Sequence, residues 1–133
     1  MHIKRWAKIG PIQHGLVHRW KESEGGTIDS FPFLGNRHCH MLEVTVWIEQ
    51  NHNQRDIEYL FADGEIRAAI TFALGGTHYY TGRDQQNWSC EKIAEEIYRR
   101  IIDYTRLTDL KNRDITIEVL EDGRNGAVVE FLT

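Results

Sequence analysis

The segment from His38 to Glu49 constrains the fold of this chain most strongly. Apolar residues occupy every second position from 42 to 48, and Glu, Thr and Trp stand between them. An alternation of period two sustained over this length is typical of a β-strand with one buried face. The sequence therefore predicts a long strand from about 38 to 49. The two histidines at its start, His38 and His40, have the parity of the apolar face.

Other segments show weaker patterns of the same kind. Residues 12–18 suit a strand, 56–60 are interpreted as a short return strand, and 115–120 and 127–132 suit two further strands. Helical spacing of apolar residues predicts a helix over 61–74, ended by Gly75-Gly76, and a second helix that begins after Ser89 as N-cap. Strands, two helices and strands in this order predict an α+β fold. We expect an antiparallel four-stranded sheet with two helices packed on one face.

Composition limits the class of protein. The 133 residues suit one domain, 1–133, and the net charge of -4 without a basic stripe argues against nucleic-acid binding. No apolar run approaches the ~20 residues of a membrane span, and residues 1–6 lack the apolar core of a signal peptide. Two cysteines do not indicate a disulfide framework. We therefore expect a cytoplasmic protein.

The His38-Cys39-His40 segment suggests a metal site. Two residues apart on a strand, the histidine Cβ atoms leave the same face about 6.5–7 Å apart along the chain, so both imidazoles can reach one zinc ion (Zn2+). His14 and His18 share a face of the preceding strand, and either can supply a third ligand across a hairpin. Three histidines with an open position are typical of catalytic zinc. The alternative is a pair of surface histidines before the sheet begins.

Four further residues have both a functional and an ordinary interpretation. Glu121 continues the parity of Ile117 and Val119, so it either ends an apolar face as a ligand-binding carboxylate or belongs to the solvated turn that follows. His78 lies between the helices, where an imidazole serves as general acid or base or only as a local hydrogen-bonding group. Cys39 should point away from the metal as small filler. Cys90 begins a helix, a position that can lower a thiol pKa.

Several of these segments, in this order, resemble the tunnelling-fold family of 6-pyruvoyltetrahydropterin synthase and 6-carboxytetrahydropterin synthase. His18-Arg19-Trp20 looks like the family's first-strand His-Arg-Leu, and His38-Cys39-His40 looks like its His-Gly-His. Residues 76–80 resemble its Leu-Asp-His-Arg-Tyr, 87–94 resemble its Asn-Pro-Thr-x-Glu-Asn-x-Ala, and 117–122 resemble its Val-x-Val-x-Glu-Thr. The likeness covers nearly the whole chain.

The resemblance implies a role for each of these segments. His18, His38 and His40 would bind zinc, Glu121 would anchor a pterin, and His78 would be catalytic. It also implies a homo-oligomer, a hexamer in the family, with sites at subunit interfaces. The chain departs from the family in two proton-transfer groups. The family cysteine is missing from 33–37, and Thr77 stands at the aspartate position. Arg37 has no family counterpart, and we expect it to meet an anionic group of the substrate.

Three functions are compatible with these features. The first is a zinc-dependent lyase of the pterin synthase type, acting on dihydroneopterin triphosphate or a related pterin-like or purine-like heterocycle. The second is a metal-containing binding protein without turnover that sequesters such a ligand, which the missing cysteine and aspartate favour. The third is a structural zinc module, which the open coordination position disfavours.

Overall fold

The computed structural model describes residues 1–18, 38–75 and 88–133. Its elements are β1 (Arg5–His18), β2 (His38–Gln50), α1 (Tyr59–Leu74), α2 (Cys90–Tyr104), a short 3-10 helix (Leu110–Asn112), β3 (Ile115–Glu121) and β4 (Asn125–Phe131). The strands form one antiparallel sheet in the order β1-β2-β3-β4. The predicted α+β architecture of four strands and two helices is confirmed.

The core lies between one face of this sheet and the two helices. Alternate residues of β2 and β3 are completely buried, as the alternation predicts, and they face apolar residues of α1 and α2. α1 packs on β1, whereas α2 packs on β3 and β4, and the helices touch each other. β2 is therefore an inner strand with one apolar face, which the sequence identified correctly.

A bulge in β1 decides which of its residues face the core. Ala7 and Ile9 pair with Ile48 and Val46, but the register shifts between Ile9 and Ile12, so that Ile12 and His14 face the core beyond the bulge. Gly10 makes this possible because its φ is 114° and a Cβ would lie 2.7 Å from the Val44 carbonyl oxygen. β1 begins at Arg5, seven residues before the predicted start at Ile12.

Local signals place both helices. Ser89 caps α2 by accepting a hydrogen bond from the Lys92 amide, as predicted, and Gly75 ends α1 in the left-handed conformation. The predicted return strand over 56–60 is wrong. Glu58 instead caps α1, because its carboxylate accepts hydrogen bonds from the amides of Leu60 and Phe61. The first N–H groups of a helix have no partner within the helix, and these two bonds satisfy two of them.

The last two strands form the expected hairpin. β3 runs to Glu121 and does not end at Val119. The backbone of Glu121 therefore belongs to the strand and not to the turn that follows. β4 covers Asn125–Phe131, shifted toward the N-terminus from the predicted 127–132, because Asn125 and Gly126 already pair with β3. Within residues 1–18, 38–75 and 88–133 no helix is long and apolar enough to cross a membrane.

Candidate functional site

One end of the sheet collects polar groups on and beside the core face. We call it the histidine end; it comprises His14, His40, Cys90, Glu121 and Asp122. Leu42 pairs with His14 on one side and with Glu121 on the other, and His40 is the next core-face residue of β2 beyond Leu42. The sheet register therefore brings together side chains that are up to 108 positions apart in the sequence.

His40 lies between two carboxylates. Its Nδ1–H donates to Asp122 Oδ2 at 2.8 Å, and its Nε2 lies 3.5 Å from Glu121 Oε2. The imidazole is only 18% exposed. The hydrogen bond from His40 holds the pKa of Asp122 below its ordinary value, and a second bond from the Met41 amide acts in the same direction. A carboxylate on one ring nitrogen is a common partner of metal-binding histidines.

Glu121 faces the first turn of α2. The Cys90 thiol donates to Glu121 Oε1 across 3.7 Å. Burial, together with the negative charge of Glu121 and the hydrogen bond to it, raises the pKa of this thiol to about 12. The idea that the helix start lowers the Cys90 pKa is therefore wrong, because burial and the carboxylate outweigh the helix dipole. Cys90 stays a protonated thiol and is no nucleophile near neutral pH.

His14 is the most buried of the described site groups, with 3% of the residue exposed. Its Nδ1–H donates to the Gly15 carbonyl at 2.7 Å, and its Nε2 is buried without a hydrogen-bond partner among the described residues. Burial lowers its pKa, so the ring is neutral and Nε2 carries a lone pair. The sequence singled out His14 as a possible ligand, but the unpartnered nitrogen depends on tertiary packing.

The register of β1 and β2 bears on the choice between His14 and His18. His18 pairs directly with His38, and Leu16 pairs with His40. Directly opposed residues have Cβ atoms about 4.5–5.5 Å apart. The backbone of His18 is therefore directly opposite His38 and next to the pair that contains His40. His14, opposite Leu42, lies two residues further along the strands from His38 than that pair does. The side chains of His18 and His38 are outside the described part of the structure, and so are Arg37 and His78 entirely.

His40 is the one predicted zinc ligand whose side chain lies within the described part of the structure. The Asp122 carboxylate requires the proton of His40 on Nδ1, and in the neutral ring that leaves Nε2 as the nitrogen available to a metal. Among the side chains that the structure describes, no group of three or more His, Cys, Asp or Glu is arranged to hold a metal ion. Two of the three predicted ligands, His18 and His38, have side chains outside that set.

Sequence reasoning missed the role of Asp122. By sequence Asp122 belongs to the turn that follows β3, yet its carboxylate contacts a residue 82 positions away. The one available signal was the Asp122-Gly123 pair, which marks a tight turn between two strands but names no partner. The Cys90–Glu121 contact was missed for the same reason, since only helix packing brings the two together.

No protein-family model matches this sequence, and no curated protein shows a significant match to it. The likeness to the pterin synthase family therefore rests on the sequence motifs quoted above.

Proposed function

We propose that this chain is a cytoplasmic zinc-dependent enzyme of the pterin synthase type, a lyase acting on dihydroneopterin triphosphate or a related heterocycle. One observation carries the proposal. His40 Nε2 and Glu121 Oε2 lie 3.5 Å apart at the end of an otherwise apolar face. This contact supports the proposal that a metal ligand, His40, lies beside the carboxylate that binds the amino-pyrimidine edge, Glu121.

Each residue of the proposed site has a separate task. Glu121 accepts two hydrogen bonds from the amino-pyrimidine edge of the pterin, and charge-assisted bonds of this kind are the stronger class. His18, His38 and His40 hold zinc, which when bound supplies Lewis-acid polarisation of hydroxyls or carbonyls on the C6 side chain. His78 moves a proton, and Arg37 pairs with an anionic group of the substrate.

The burial of Glu121 supports its role as an anchor. Its side chain is 30% exposed and ends the face on which Ile117 and Val119 are completely buried. A carboxylate in a partly desolvated position is costly unless it is paired, and its attraction for a ligand N–H exceeds that of a fully solvated carboxylate. Because the Cys90 thiol is uncharged, it does not neutralise the negative charge of Glu121.

A catalytic test uses dihydroneopterin triphosphate as substrate. We expect release of triphosphate by the zinc-loaded protein, and loss of release in the Glu121→Gln variant, with ligand binding about 10–100-fold weaker. Glu118→Gln is the matched control because Glu118 lies on the same strand with the opposite parity. Elemental analysis of wild type and His40→Ala accompanies the assay. Wild type without stoichiometric metal would contradict the proposal.

A second function, heterocycle binding without turnover, is favoured by one observation. The Cys90 thiol, whose pKa lies at about 12, cannot take the place of the missing family cysteine in proton transfer. Tight heterocycle binding that Glu121→Gln abolishes, together with no triphosphate release, selects this function over the lyase.

We also propose that the chain assembles as a homo-oligomer, a hexamer by the resemblance. The outer edges of β1 and β4 pair with no other strand of the described residues, and such edges are templates for pairing with another chain. Native mass spectrometry tests this, and a monomer at micromolar concentration contradicts it.

A further inference from the structure

The contact between Asp122 and His40 assigns a second role at the proposed site. Asp122 Oδ2 accepts the Nδ1–H of His40 at 2.8 Å, within the normal range of a hydrogen bond. The 3.5 Å from His40 Nε2 to Glu121 Oε2 is longer than a hydrogen bond of good geometry. The two ring nitrogens of His40 therefore have different surroundings.

Asp122 is itself held in place. Its Oδ1 accepts the Met41 amide at 3.0 Å, and its own amide donates to the Met41 carbonyl at 2.7 Å. Its φ of 54° places it in the left-handed region at the turn between β3 and β4. One carboxylate, 54% exposed, thus joins the β3–β4 turn to two consecutive residues of β2, and its two hydrogen bonds hold it beside His40.

A carboxylate has no proton to donate, so it selects the form of the imidazole that it contacts. His40 must carry its proton on Nδ1, and the neutral ring then keeps a lone pair on Nε2. Histidine binds a metal through an unprotonated nitrogen, and a carboxylate on the other nitrogen fixes the tautomer and the ring orientation.

We propose that Asp122 is a positioning residue that holds His40 in the Nδ1–H tautomer and presents Nε2 as a zinc ligand. This inference rests on the proposed function, in which His40 binds zinc. Asp122 acts through His40 and touches neither metal nor substrate.

Asp122→Asn separates this role from the role of Asp122 in the turn. Asparagine tolerates the left-handed backbone, so the turn is kept. Its side chain has one acceptor oxygen in place of two. When that oxygen accepts the Met41 amide, the NH2 group faces His40 Nδ1 and favours the opposite tautomer, with the proton on Nε2.

Zinc affinity, measured by competition with a chromophoric chelator, tests the proposal. We expect Asp122→Asn to bind zinc about 10–100-fold more weakly than wild type. Asp109→Asn is the matched control, since Asp109 also has a positive φ (60°) but lies beside the 3-10 helix. We expect it to bind zinc as wild type does. Equal zinc affinity in wild type and Asp122→Asn would overturn the inference.

A metal-free measurement distinguishes this inference from the proposed function. Nitrogen-15 NMR of the imidazole at mildly alkaline pH should show Nδ1–H for His40 in wild type and Nε2–H in Asp122→Asn. His40→Ala assigns the signal. A wild type with Nε2–H contradicts the role of Asp122 even if zinc binds. A wild type that shows Nδ1–H but binds no zinc contradicts the proposed function and leaves the tautomer assignment standing.

Discussion

The two ends of the sheet handle their polar groups in different ways. We call the second one the arginine end; it comprises Lys4, Glu49, Asp56, Arg113 and Asp114. Arg113 is 5% exposed and donates to Asp56 at 2.5 Å and to the Glu49 carbonyl at 2.9 Å. Lys4 pairs with Asp114, which also accepts the Thr133 amide. Here each carboxylate meets a permanent cation.

The five residues of the histidine end include no lysine or arginine that could pair with its carboxylates. It is built from two carboxylates, two imidazoles and a thiol, and its contacts run from His40 to both carboxylates and from Cys90 to Glu121. The carboxylates of the arginine end pair with Lys4 or Arg113 and stabilise the fold. Under the proposed function the histidine end has a different role, the binding of a cation or of a ligand rich in N–H donors.

The largest expected effect is at the arginine end. Arg113→Ala leaves Asp56 without its buried cation, and we expect the free energy of unfolding to fall by about 3–5 kcal/mol. Urea denaturation measures this. The control is Arg99→Ala, because Arg99 is 63% exposed in its pair with Glu96 and should contribute about 0–1 kcal/mol. Similar small losses in both variants would remove the electrostatic distinction between the ends.

Acid should destabilise the protein through the arginine end. The hydrogen bond from Arg113 lowers the pKa of Asp56 to about 2, and that from Lys4 lowers the pKa of Asp114 to about 2, from an ordinary 3.8. Stability from these groups is fully present above the unfolded pKa and is lost as pH falls from about 4 toward 2. Urea midpoints across this range should fall more steeply in wild type than in Asp56→Asn. Equal slopes would contradict the assignment.

At the histidine end a substitution should cost little. His14→Leu removes a buried imidazole whose Nε2 has no partner among the described residues, so we expect the free energy of unfolding to stay level or rise by up to about 1 kcal/mol. Leu42→Ala, on the neighbouring strand, is the contrast and should cost about 2–5 kcal/mol. A loss above about 2 kcal/mol in His14→Leu would make His14 a structural residue.

The same histidine should leave a pH signature. Burial lowers the pKa of His14 below its ordinary 6.5, so the unfolded chain binds the extra proton first. Stability from this group is present above pH 6.5 and is lost as pH falls below it. His14→Leu should remove that part of the decline between neutral pH and the acid range in which Asp56 titrates. An unchanged slope would show that the decline has another source.

The last expected effect concerns reactivity and not stability. Because the Cys90 thiol has a pKa of about 12, we expect its alkylation near neutral pH to be at least about a hundredfold slower than in the urea-unfolded chain. A Cys39→Ser background isolates the signal in mass spectrometry. Alkylation as fast as in the unfolded chain would show that the histidine end is open to reagents and that the thiol is not held by Glu121.

Local chemistry explains which parts of the fold could be predicted. β2 was recognisable because its period of two reflects one buried face, and α2 because Ser89 and the apolar spacing act within a few residues of each other. The prediction over 56–60 was wrong because the role of Glu58 depends on tertiary packing. Its carboxylate caps α1 only if that helix forms, and a helix of this length is stabilised mainly by packing against distant residues.

The sequence by itself determined that His40 and Glu121 have the parity of the apolar faces of β2 and β3, because strand parity depends only on spacing along the chain. Tertiary structure decided the rest. The bulge at Gly10 sets the parity of His14, pairing of β2 with β3 brings Asp122 to His40, and packing of α2 gives Cys90 its high pKa. These outcomes depend on hydrogen bonds and burial between residues distant in sequence, so no local pattern contains them.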